Sequence, residues 1–164
     1  MRNYYQRIRF YLLLLTIFLL NASCEKDITR TSKYYISCKV DGEKYLPNNC
    51  ANCMRVQILG DSIFMMNANR GFESVIVGVI HKTGIETGKY ILNSPQTGAA
   101  YKFSTTTNDR FDTDGTNTGE LNIITLDKVN KIVSGTFFFK GYNPVQQKTV
   151  NVSEGVFRLN YSDY

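Results

Sequence analysis

The sequence predicts an all-β protein, a single antiparallel sandwich or barrel, preceded by a short export leader. Three observations point there. Apolar and polar residues alternate in short runs separated by turn residues, at a spacing of roughly 8–12 residues, as in small sandwiches and barrels. No window beyond the leader sets apolar residues at i, i+3, i+4 and i+7, the stripe an amphipathic helix needs. The chain holds 11 Tyr and 10 Phe with only 3 Pro and no Trp, and its Thr and Asn suit pleated strands and polar turns.

The leader comes first. Met1–Arg9 carries Arg2, Arg7 and Arg9 and no acid, and Phe10–Leu20 is an unbroken apolar run apart from Thr16. A basic start followed by a short apolar core is the pattern of a secretory signal peptide. A spanning helix needs about 20 apolar residues, more than this run supplies. Residues 1–23 are therefore predicted to be removed. The run ends Leu20-Asn21-Ala22-Ser23-Cys24, which resembles the lipobox of bacterial lipoproteins. There the Cys thiol takes a diacylglycerol and cleavage falls just before it. The usual pattern has Leu three places before the Cys; here Asn21 holds that place. The resemblance implies Cys24 as the lipidated first residue of the mature chain, with N-acylation, palmitate for instance, adding a further chain. Glu25-Lys26-Asp27 resembles the surface-export signals of Bacteroides-type bacteria, so the implied address is the outer membrane of the cell envelope. Residues 24–33 lack hydrophobic periodicity and read as a tether.

The domain, 34–164, follows as alternating strands and turns. Tyr34–Val40 sets Ile36, Cys38 and Val40 on one face. Asp41-Gly42 is a two-residue hairpin signal, because both central positions tolerate positive φ. Glu43–Leu46 returns. Met54–Leu59 alternates cleanly, and Gly60-Asp61 turns it into Ser62–Ala68. Asn69-Arg70-Gly71 leads into Glu73–His81. Gly88–Leu92 and Ala99–Thr106 are shorter strands. A polar stretch from Thr107 to Gly119 reads as loop. Glu120–Leu126, Ile132–Lys140, Lys148–Val152 and Gly155–Tyr161 complete about ten strands.

Several blocks recur in a recognisable order: Val40-Asp41-Gly42-Glu43-Lys44-Tyr45, Gly88-Lys89-Tyr90, Gly119-Glu120-Leu121-Asn122-Ile123, Ser134-Gly135-Thr136-Phe137-Phe138-Phe139 and Ser153-Glu154-Gly155-Val156-Phe157. Their succession resembles a family of small uncharacterised lipoproteins of Bacteroides-type bacteria. The resemblance implies an all-β lipoprotein and carries no activity with it.

The charge balance excludes one class of partner. The precursor has 19 Lys and Arg against 14 Asp and Glu. Losing the three leader arginines leaves sixteen against fourteen, nearly neutral. Nucleic-acid affinity comes from clustered cations, so none is expected.

Candidate chemistry is sparse. Cys50-Ala51-Asn52-Cys53 is a C-x-x-C, but no βαβ pattern surrounds it as in redox proteins. With Cys38 and His81 it could supply four zinc ligands. In an oxidising compartment a disulfide among Cys38, Cys50 and Cys53 is the simpler expectation. A bridge from Cys38, which would staple the first hairpin to the next strand, is favoured because the Ile36/Cys38/Val40 face points inward, and the same position also suits a buried free thiol. His81, the single histidine, ends an apolar strand and reads as surface polar. Loop 108–117 is the densest acidic cluster. Asp112-x-Asp114-Gly115 matches part of a calcium loop, which makes Asp112, Asp114 and Asn117 candidate metal ligands. Arg110 stands where the EF-hand pattern needs an oxygen donor. Tyr101, Tyr142, Tyr161 and the Phe137–Phe139 run are candidates for stacking on a sugar or a protein partner.

No nucleophile-elbow motif occurs. The expected function is therefore a non-enzymatic binding or structural module on a membrane anchor, without a cofactor beyond the lipid. The alternative is a lipid-anchored hydrolase, or a calcium-dependent binding protein, using loop 108–117.

Overall fold

A computed structural model describes residues 33–50 and 52–163, and of Thr107 the backbone alone. The leader, Cys24 and nearly all of the tether lie outside the described residues. Eleven strands make up the domain: β1 Tyr35–Val40, β2 Glu43–Tyr45, β3 Met54–Leu59, β4 Ile63–Arg70, β5 Glu73–Ile80, β6 Gly88–Leu92, β7 Thr97–Lys102, β8 Arg110–Asp112, β9 Gly119–Asp127, β10 Ile132–Asn143 and β11 Lys148–Ser162. One turn of 3-10 helix, Thr107–Asp109, precedes β8.

All eleven belong to one sheet, in the order β2-β1-β11-β3-β4-β5-β7-β8-β10-β9-β6, and β10 also pairs with β11. That extra pairing closes seven strands into a ring. The architecture is a barrel, with β1–β2 attached beside β11 and β9–β6 beside β10. The sheet is mixed rather than purely antiparallel. Tyr161 and Ser162 at the end of β11 pair in parallel with Val56 and Gln57 of β3, and this short contact seals the ring.

Local chemistry sets the hairpins. Asp41 and Gly42 have φ of 49° and 86°, and Gly60 and Asp61 have 54° and 58°. Paired positive φ gives the turn twist that matches right-handed strands. Period-2 alternation then sets the faces. Phe64, Met66 and Ala68 of β4 and Val75, Val77 and Val79 of β5 point inward and are buried. The ring of Phe157 lies 6.1 Å from that of Phe64 and 6.4 Å from that of Phe137, so aromatics of β4, β10 and β11 meet in the core.

Several strand bounds shift by one to four residues, β7 to Thr97–Lys102 and β10 to Ile132–Asn143 among them, and three differences change how the strands connect. Lys148–Tyr161 is one strand rather than two. Glu154 takes a left-handed φ of 51°, and the register jumps between Phe137–Gly155 and Phe139–Val152. Ser153-Glu154 is thus a bulge, which returns Gly155 and Phe157 to the inside without ending the strand. The turn after β4 is Gly71-Phe72, because Arg70 still pairs with Glu73. Arg110–Asp112, expected as loop, is a short strand between β7 and β10.

Candidate functional site

The cysteines correct the favoured pairing. Cys50 and Cys53 form the disulfide, and Cys38 is a free, buried thiol. Cys38 points into the barrel on β1, opposite Tyr45 of β2. Cys50 and Cys53 lie in the turn before β3, where the Cys53 amide donates to the Cys50 carbonyl at 3.1 Å. Desolvation pushes the Cys38 thiol up to about 12 despite the nearby Arg70. A neutral thiol shut in the core is neither a nucleophile nor a ligand.

Loop 108–117 brings its acidic groups to separate partners. Arg110 Nε donates to both carboxylate oxygens of Asp112, at 2.8 and 3.0 Å. Asp114 Oδ1 accepts from the backbone amides of Thr116 and Asn117, each at 2.7 Å, and the Asn117 side-chain amide reaches both of its oxygens. These bonds, the Asn117 backbone first, hold the Asp114 carboxyl below its ordinary value. Asp109 is held low by the hydroxyls of Ser104 and Thr106 and by Gln146. Among the described residues no group of three His, Cys, Asp or Glu side chains is placed to hold a metal ion.

His81 is exposed. Its Nδ1 lies 2.8 Å from the Gly84 carbonyl, which it approaches as a donor, and its ring meets Tyr90 edge-on at 5.4 Å. Phe137 and Phe139 are buried, and Phe138 is 53% exposed on the outer face. Tyr101 and Tyr161 are buried too.

One recess among the described residues is not one that the sequence reading singled out. On the outer wall a groove of about 370 Å³ runs over β5 and β7, with Gly78, Gly98 and Ala100 in its floor and Ser94, Pro95, Arg110 and Asp112 on its sides. Gly78 lies directly opposite Gly98 on β7 and Met65 on β4. Thr113 beside it is committed, its Oγ1 accepting the Ala99 amide at 2.9 Å. The rim therefore offers a self-neutralised Arg–Asp pair above a floor of small residues, with Ile76 beside them. Gly78 is the unusual element. Its φ lies outside the left-handed range and a Cβ there would meet nothing within 4 Å. Neither a turn nor close packing calls for glycine, although glycine in a strand costs about 0.5–1 kcal/mol relative to alanine. A second recess of about 310 Å³ opens between Phe103, Phe111, Gln146 and Val150.

The family profile of DUF6252, a domain of unknown function, matches residues 36–159. The chain belongs to the DUF6252 family. No curated protein and no solved structure matches it. The DUF6252 span begins inside β1 and ends inside β11, so it includes both strands of the groove floor and the Arg110–Asp112 rim. One sequence signal could have located the groove in this DUF6252 domain. Within Val75-Ile76-Val77-Gly78-Val79-Ile80, glycine falls at an outward position of an otherwise β-branched strand.

Proposed function

We propose that the protein is a lipid-anchored component of the cell envelope, held at the outer membrane through Cys24, and that its β domain acts by binding rather than by catalysis. The anchor half is supported by the basic, apolar and small-residue succession that ends at Cys24. Each buried CH₂ contributes about 0.8 kcal/mol, and stable attachment takes two acyl chains, which a diacylglyceryl cysteine supplies. The binding half is carried by one observation: the backbone at Gly78 stands uncovered in a groove beside the Arg110–Asp112 pair. The polar groups that acid–base chemistry would draw on are already committed. Asp109 is held by Ser104 and Thr106 of its own loop and by Gln146, Asp114 by Thr116 and Asn117 of its own loop, and His81 by Gly84.

Metabolic palmitate labelling with fractionation tests the anchor. Wild type should take label and sediment with membranes, whereas Cys24→Ser should lose both properties. A Cys24→Ser chain that stays membrane-bound and labelled refutes it.

A further inference from the structure

We infer that the barrel rests on the bilayer by the end that carries the turn between β9 and β10, with the Val129 side chain reaching the boundary between headgroups and acyl chains. This rests on the anchor reading above, because the lipid on Cys24 is what brings the barrel to the membrane.

Chain direction selects the end. Tyr35 lies opposite Arg158 in an antiparallel pair. Traced back from Tyr35, the chain therefore runs the way β11 runs, toward Tyr161 and Ser162. There the Tyr161 amide donates to the Lys131 carbonyl at 2.9 Å. The entry of the chain and the 127–131 turn thus share one end of the barrel. The Gly60-Asp61 turn joins them, since the Asp61 charge acts on both Lys131 and Tyr161. The turn between β10 and β11 lies at the opposite end, a full strand away. β10 has 12 residues, about 40 Å at the rise of a strand. The steps from Cys24 to Lys33 span at most about 30 Å. With β10 along the membrane normal, the far end lies beyond the reach of the anchor and the near end lies within it.

The near end suits an apolar boundary. Val129 is 91% exposed, more than any other large apolar side chain among the described residues. Its turn is fixed. Asp127 Oδ1 accepts the amides of Val129 and Asn130 at 3.0 and 2.9 Å, and the Asn130 side-chain amide donates to Oδ2 at 2.7 Å. A side chain held out by an ordered turn loses little freedom on contact. Behind the Gly60-Asp61 turn, Leu59, Ile63 and Ile80 fall in one outward row, and Ile80 is 47% exposed. Charge at this end nearly balances. Lys131 engages Asp163, the Arg158 charge acts on Asp127, and Lys33, Lys82 and Lys128 stand against Asp61 and Glu86. Anionic headgroups draw on clusters of unopposed cations, so contact here depends on apolar burial and occurs on uncharged lipid.

The chain holds no Trp, so one tryptophan at a time can report. The test uses the full lipidated chain, once as Val129→Trp and once as Val145→Trp, in phosphatidylcholine vesicles made with and without acyl-brominated phosphatidylcholine. Both valines are exposed turn residues, 91% and 68%, at opposite ends of β10. Both variants should float with the vesicles. Val129→Trp should lose at least half of its emission to the brominated lipid, and Val145→Trp should lose none. A Val129→Trp chain that floats unquenched overturns the inference and leaves the anchor standing. Equal quenching of the two variants also overturns it, since the affinity of tryptophan for the interface, and not the end of the barrel, would then set the contact. A chain that does not float overturns the anchor reading and the inference with it.

Discussion

Gly155→Ala is the sharpest test of how the barrel is packed. The new Cβ would fall 2.3 Å from the Phe137 carbonyl oxygen and 2.7 Å from two of its ring carbons. Neither obstacle is a flexible side-chain end. Phe137 is 2% exposed, its backbone is fixed in the β10–β11 ladder, and its ring is backed by Phe157. Overpacking costs about 1–3 kcal/mol, and the immobility of Phe137 places this case near 3. Restricting the unfolded chain returns about 0.4–1 kcal/mol, for a net loss of about 2 kcal/mol. The control is Gly78→Ala, the same chemical change at an open site with ordinary φ, which should gain about 0.4–1 kcal/mol. The two variants should thus differ by about 3 kcal/mol. With a urea m-value of about 2 kcal/mol/M, their midpoints should separate by about 1.5 M. A Gly155→Ala midpoint within about 0.3 M of wild type, or an equal loss in Gly78→Ala, would refute the reasoning.

Three further outcomes are expected. Cys38 should resist a disulfide-exchange thiol reagent at pH 8 in the folded chain and react once urea unfolds it, since burial pushes its thiol up to about 12; rapid native labelling would contradict its burial in the core. The Cys50–Cys53 bridge spans only 3 residues, so reduction should cost about 2 kcal/mol or less by loop entropy and leave the circular dichroism spectrum intact. Asp109 and Asp114 carry carboxyls held below their ordinary value by hydrogen bonds, so they bind fewer protons folded than unfolded. Their contribution is present above the unfolded value near 3.9 and is lost as pH falls below about 4; Asp114→Asn should flatten the acid limb of a melting-temperature profile, and an unchanged limb would count against the described bonds.

Much of the fold was legible because alternation and turn chemistry act locally. Met54–Leu59 and Gly88–Leu92 begin and end where expected, and Asp41-Gly42 turns as its residues require. What was not legible depends on distant partners. β8 has three residues, too few to show a period, and exists because β7 and β10 flank it. Ser153-Glu154-Gly155 has the composition of a turn, and only pairing with β10 makes it a bulge. The Cys38 expectation failed because an inward face was read as proximity to Cys50. The groove was hidden because its signal is a missing side chain, visible only once neighbouring strands show that nothing covers it.

The position of β11 has a consequence for how the chain is made. Residues 148–160 pair with β10 along one edge, while the other edge serves β1 and then β3. Of the eleven strands β11 is synthesised last, and without it β3 through β10 form an open sheet and β1–β2 a detached hairpin. A chain emerging from its amino end therefore cannot close until its final strand is free. The same strand that locks the finished barrel thereby sets when the ring can form, at the end of synthesis.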